Sequence, residues 1–385
     1  MVSPHAAVVL SGGAALAAYE VGVMKALFEG ECASTNYQRL DPGIITGTSA
    51  GAINGAVLVS RGGIDIRQAL EYLESVWLQV IAGETAASAN GVFRVRLDPG
   101  QYTGGLGAMM AAAAGDGVEL TRAFIRRGSN FALSRGDVAP RLIAQVDFTE
   151  LISTEPLGLT LRRVIDASGI TESNRQLRVV VTNWAKGEPT IFANSDFSDT
   201  CAYELLRASA AIPGIFAPVL VKRVPLVDGG LIMNTPLKPA IAAGAREIHI
   251  IYVDTRIDNI PLIDMSGALD VLGRSLAIAA AVRTRADVTT AREINEGIDA
   301  VGAAPSSRSL AAEQTKAIVR TVSRVSARLS SPMPYKKITI HQYHPRDHFK
   351  GLLDFSRAAI ERLIERGFKD AIRHDCRASD CVIPV

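Results

Sequence analysis

The chain has 385 residues, with 41 Lys and Arg against 39 Asp and Glu, and its net charge of +2 argues against a general nucleic-acid binder held by phosphate charge. Hydrophobic residues make up 48% and charged residues 21%, which excludes a disordered chain and leaves ample material for a large core. The length suits two domains, or one large α/β domain with insertions.

Residues 6–10 form a short β-branched run that predicts a first strand, followed by the turn Ser11-Gly12-Gly13-Ala14 and a helical stretch over 17–28. Further strands are predicted at 43–46, 178–183, 225–227, 247–254 and 337–341, most of them alternating with helical sequence. That alternation predicts α/β layers around a mainly parallel sheet. Between 83 and 140 the pattern loosens into Gly/Ala-rich sequence, expected to be a helical or irregular insertion or cap. A linker is expected at 303–307, dividing a main α/β unit over 1–302 from a C-terminal helix, strand and helix over 303–385 that packs on the same domain. The last helix is placed at 352–366.

The longest small-apolar stretch, 106–114, is far below the roughly 20 residues that span a bilayer. The N-terminus lacks the basic flank and long apolar run of a secretory leader. Cys32, Cys201, Cys376 and Cys381 are widely scattered and contain no C-x-x-C pair, so the sequence indicates neither a disulfide framework nor a structural zinc site. A cytoplasmic protein is expected, with any membrane contact peripheral.

Gly47-Thr48-Ser49-Ala50-Gly51 fits G-x-S-x-G, with an apolar strand before it and helical sequence after it. This is the context of a nucleophile elbow: small neighbours tolerate a strained turn, and the helix N-terminus favours developing negative charge. The glycine turn at Gly12-Gly13 also opens a helix, whose first amides form an anion site. A phosphate is disfavoured there, because G-x-G-x-x-G is not matched and no Lys-Ser/Thr pair follows. With a nucleophile on the next strand, an oxyanion loop is expected.

A serine needs a base. His249 lies inside a strand pattern and reads as a packed residue, while Pro345 prevents a regular helix from aligning His344 with His348, so neither a histidine base nor a metal cluster with His341 is favoured. Asp228 closes an apolar strand and precedes Gly229-Gly230, whose missing side chains let a neighbouring backbone approach. Open α/β sheets place ligands beyond the strand C-termini, which would bring Ser49 and Asp228 to one rim.

Four ordered blocks, Leu10-Ser11-Gly12-Gly13, Gly47-Thr48-Ser49-Ala50-Gly51, Ala208-Ser209-Ala210-Ala211-Ile212-Pro213 and Asp228-Gly229-Gly230, resemble those of the patatin-like phospholipases. The likeness covers most of residues 6–254. It implies a three-layer α/β/α fold and a Ser–Asp dyad that hydrolyses lipid acyl esters through an acyl-enzyme, with no cofactor or metal. By that resemblance Ser49 is the nucleophile, Asp228 the base, and the amides of Gly12, Gly13 and Ala14 the oxyanion hole. The first block departs from the family's usual Gly-Gly-Gly-x-Arg/Lys-Gly at Ala14, Leu16 and Ala17.

Two further readings stay open: an acyltransferase related to malonyl transacylases, although Thr48 stands where those enzymes have His, and a weakly active lipid-binding or interaction protein of the same fold. Residues 309–329 carry Lys316, Arg320, Arg324 and Arg328 beside an apolar stripe, a pattern suited to packing on the domain or lying on an anionic bilayer. The expected partner is a lipid ester; the sequence leaves the oligomeric state open.

Overall fold

The computed structural model describes residues 2–61, 63–84, 91–95, 152–198, 201–254, 268–302, 336–349 and 351–384. Most of the expected insertion over 83–140, the linker at 303–307 and the basic helix over 309–329 lie outside the described residues.

The main strands are β1 (Ser3–Leu10), β2 (Pro42–Thr48), β5 (Gln176–Asn183), β6 (Glu188–Ala193), β7 (Val219–Val221), β8 (Val224–Asp228), β9 (Glu247–Ile251) and β10 (Thr339–Tyr343). A two-residue pair, β3 (Arg94–Val95) and β4 (Ile152–Ser153), stands apart from them. The sheet order is β10-β9-β1-β2-β5-β8-β7, with β6 also paired to β5. Strands β10, β9, β1, β2 and β5 are parallel, whereas β6 and β8 run antiparallel to β5.

Both faces of this sheet are buried, as parallel sheets require. Along β1, Ala6, Val8 and Leu10 enter one apolar cluster and Ala7 and Val9 enter another. The first layer contains α1 (Ala18–Glu29), α2 (Ala50–Ser60), α3 (Ile66–Ser75), α4 (Glu155–Val164), α5 (Ala167–Thr171), α6 (Ala202–Ser209) and the C-terminal α10 (Arg357–Ile372). Between α6 and α10 the chain forms the short α7 (Gly230–Met233), α8 (Leu237–Ala242) and α9 (Ala268–Gly302). The opposite layer is built by α8 and α9, through Leu237, Ala240, Val288 and Ala291. The result is a three-layer α/β/α architecture.

Helix α10 lies backbone to backbone against α1: a Cβ on Gly22 would strike the carbonyl of Ile364, and one on Gly367 would strike that of Tyr19. A single hydroxyl links the same pair of helices more loosely, Tyr19 to Asp370 at 3.4 Å. No described helix is long and apolar enough to cross a membrane.

One feature of the topology positions the site. Strand β2 pairs with β5 through Thr48↔Val180, and β8 pairs with it through Asp228↔Val181. Strand β6 occupies the other edge of β5 across 178–183, so β2 and β8 share one edge, meeting C-terminus to C-terminus at consecutive β5 residues.

Candidate active site

Ser49 follows β2 and precedes α2 with φ 56° and ψ −129°, a conformation that L-residues seldom adopt and that costs on the order of 1–3 kcal/mol. The strain is held from several sides. Its N–H donates to Ser209 Oγ at 2.9 Å, and that hydroxyl donates onward to the Val180 carbonyl at 2.8 Å. Its carbonyl accepts from Ala52 and Ile53 in the first turn of α2. Gly47 abuts Gly51 across the turn, and Gly51 lies against Ser11, leaving no space for a Cβ at either position. The Thr48 hydroxyl is committed to the Met233 carbonyl at 2.8 Å, and Ala50 opens α2.

Asp228 is buried, 5% exposed, at the end of β8. Its N–H donates to the Ala211 carbonyl at 2.9 Å, and its carbonyl accepts from Thr182 Oγ1 at 3.0 Å. The Gly230 N–H reaches its carboxylate at 2.7 Å, and the Ser49 hydroxyl lies beside the same carboxylate, close enough to draw its pKa down. Burial pushes the Asp228 pKa up to about 6, against the opposing pull of these two donors. Gly229 gives the Val180 carbonyl its close approach.

The loop after β1 leaves the sheet beside the elbow, because Leu10 pairs with Gly47. A Cβ on Gly12 would come within 2.9 Å of Ser49 Cβ and 2.5 Å of Asn234 Oδ1. The N–H of Gly12, a residue the sequence places among the oxyanion donors, is given to the Asn234 carbonyl at 3.1 Å, while the Asn234 side chain donates back to the Gly12 carbonyl at 3.1 Å. Among the described residues the N–H groups of Gly13 and Ala14 have no protein acceptor. Ala14 stands at φ 45°, so the chain carries left-handed strain at the position where the block it resembles has glycine. Leu16, at the position of the usual basic residue, is buried in the core.

Ser49 and Ala14 share a narrow cavity of about 60 Å³ with Ile53, Trp77, Phe216 and Phe355, and nearly all its other lining side chains are apolar. Trp77 belongs to a π-helical turn (Val76–Ile81) and stacks on Phe355 at 6.4 Å. Its indole N–H donates to Asn54 at 2.8 Å, and the Asn54 amide donates to Glu20 at 2.9 Å. Burial pushes the Glu20 carboxyl well above its usual range. This brace behind the cavity wall escapes a sequence reading; the one signal is an acidic residue on an otherwise apolar helix.

Of the histidines, His249 is fully buried in β9, bonded to Tyr343 at 3.0 Å and to Glu247 at 3.2 Å. His344 stacks on Tyr252, and His348 faces Asp254 at 3.8 Å. Among the described residues, side chains able to hold a metal gather around His341 at the β9–β10 edge of the sheet and not around Ser49.

VipD from Legionella pneumophila is similar in structure, at 14% identity and a TM-score of 0.38 over 96% of this chain and 66% of that protein. No curated protein matches the sequence. The family model of the patatin-like phospholipases matches residues 8–102 and 103–241, a stretch that contains the glycine turn, the elbow, the Ser209 block and Asp228. The chain belongs to the patatin-like phospholipase family.

Proposed function

We propose that the chain hydrolyses carboxylic esters of lipids through a Ser49–Asp228 dyad and an acyl-enzyme. The observation that carries this reading is the placement of the Ser49 hydroxyl beside a buried carboxylate whose pKa burial raises to about 6. A carboxylate near its ordinary pKa of ~4 is a poor base for an alcohol; raising it strengthens the base while leaving it ionised at neutral pH.

Ser49 Oγ attacks the ester carbonyl carbon as its proton passes to Asp228. The C=O electron pair moves onto oxygen, and the amides of Gly13 and Ala14 stabilise that oxyanion. Collapse reforms the carbonyl and breaks the C–O bond, and Asp228 returns the proton to the departing alcohol. Water then attacks the acyl-Ser49 carbonyl, Asp228 takes its proton, and collapse releases the fatty acid as the proton goes back to Ser49 Oγ. Gly12 positions the loop, and the apolar cavity beside Ser49 receives the acyl chain, which favours an ester with a lipid or other apolar acyl group.

The test is covalent labelling by a fluorophosphonate together with turnover of short-chain p-nitrophenyl esters. The wild type should be labelled and active, and Ser49→Ala should lose both while keeping its unfolding midpoint. Turnover retained in Ser49→Ala would end the dyad reading. An unlabelled, inactive wild type would favour a lipid-binding protein of the same fold.

A further inference from the structure

At the sheet edge remote from Ser49, the chain gathers four metal-ligating side chains that the sequence scatters. His341 lies in β10; His374, Cys376 and Cys381 lie in the turn after α10. Cys376 Sγ is 3.4 Å from His341 Nδ1 and 3.5 Å from His374 Nε2, and Cys381 Sγ is 3.4 Å from His374 Nε2. All four ligand atoms fall within 4.8 Å of one another.

Those separations have a chemical meaning. Zinc binds thiolate sulfur at about 2.3 Å and imidazole nitrogen at about 2.0–2.1 Å, and a tetrahedral angle between them sets S and N about 3.5 Å apart. The three measured S···N separations already match the edges of that tetrahedron. The spacing Cys376-x₄-Cys381 also falls within the usual range for a zinc-binding cysteine pair.

The surroundings supply the outer contacts such a site needs. The Gln342 N–H donates to Cys381 Sγ at 3.3 Å, a contact that stabilises a thiolate. Ser379 Oγ meets His374 Nδ1 at 3.4 Å, on the ring nitrogen that faces away from the sulfurs. The His249 ring stacks on His341 at 4.9 Å, and its two nitrogens contact Tyr343 and Glu247. The Cys381 N–H closes the turn onto the Cys376 carbonyl at 3.0 Å.

We propose that His341, His374, Cys376 and Cys381 form a structural zinc site that staples the C-terminal turn to strand β10. Four protein ligands leave no open position, so the ion serves the fold and takes no part in ester cleavage. The sequence indicates no structural zinc site, having no C-x-x-C pair; these ligands become neighbours only because β10 brings His341 to a tail that lies 35 residues further on.

The test uses the full chain. Purified under reducing conditions, it should carry one equivalent of zinc, and cobalt exchanged into it should give the intense visible bands and the sulfur charge-transfer absorption of a tetrahedral thiolate site. Cys376→Ser and Cys381→Ser should each lose the zinc and lower the unfolding midpoint, while Cys201→Ser loses none. Below their midpoints these variants should keep Ser49-dependent turnover and labelling. Ser379→Ala should bind zinc about tenfold more weakly, as loss of an outer contact does. If the variants fail to fold, the wild-type cobalt spectrum decides by itself. Wild-type protein that retains no zinc and yields no cobalt spectrum would overturn the proposal. So would Cys376 and Cys381 that resist alkylation until a disulfide is reduced.

Discussion

Ala14 holds a left-handed φ of 45° that places a Cβ against its own backbone, at a cost of roughly 1–2 kcal/mol, whereas glycine adopts the same φ without that clash. Ala14→Gly is therefore expected to stabilise the fold by about 0.5–1 kcal/mol after the glycine's extra unfolded-state entropy is deducted, with turnover little changed. Urea unfolding checks the first claim and ester kinetics the second. Asp228 shows the opposite relation between function and stability. Its folded-state pKa of about 6 lies above the ordinary 3.8, so as pH rises through that interval the unfolded chain ionises first. The folded state thus loses stability from pH ~4 up to ~6, reaching about 3 kcal/mol for this buried group. Asp228→Asn can still accept from Gly230, yet it has no charge to bury and cannot take a proton. Its turnover should vanish while its stability exceeds that of the wild type at neutral pH, the gain fading towards pH 4. A variant less stable than the wild type at pH 7 would contradict this account. Wild-type turnover should fall about tenfold per pH unit below 6, as the base becomes protonated.

Helix ends and helix contacts show why the family blocks read as they do. The block at the end of α6 clamps both members of the proposed dyad: Ser209 takes the Ser49 N–H, and two residues on Ala211 takes the Asp228 N–H. Ser209→Ala would leave the Ser49 amide and the Val180 carbonyl without this buried partner, at about 1–3 kcal/mol. Because the elbow then relaxes, kcat should drop with KM nearly unchanged; a pure loss of stability, with normal kcat in the folded fraction, would reduce Ser209 to scaffold. Helices α1 and α10 present a different constraint. Gly367→Ala forces a methyl into the backbone of Tyr19 and should destabilise by at least 1–3 kcal/mol while sparing turnover in the protein that remains folded, as denaturant titration and esterase assays would report. Strands such as β1 and β9 were legible because continuous β-branched runs suit a sheet buried on both faces. Strand β6 was not, since Glu188-Pro189 opens it and much of it is exposed, and β7 is only three residues long. Helix α9 also escaped, because its Ala-rich sequence carries no strong amphipathic stripe.

Across the whole molecule, what sequence can show follows from how local each signal is. The elbow and the Asp228 turn are short segments whose backbone demands are written in their own glycines, so the proposed pair, Ser49 and Asp228, stands out in the sequence. The role of Gly12 could not, since its amide is claimed by Asn234, 222 residues away in the chain. The His–Cys cluster stayed hidden for the same reason. The junction on β5 carries a consequence for how such a chain tolerates change. The proposed nucleophile and base are brought together by one peptide step, Val180 to Val181, and not by the length of anything that connects them. Segments between the two can lengthen, shorten or be exchanged while the reacting atoms keep their separation, whereas a single residue inserted or deleted within 178–183 would break the catalytic pair. Substrate range is therefore free to drift through the variable segments, and the chemistry is anchored in six residues of one strand, none of which touches the substrate by its side chain in the proposed mechanism.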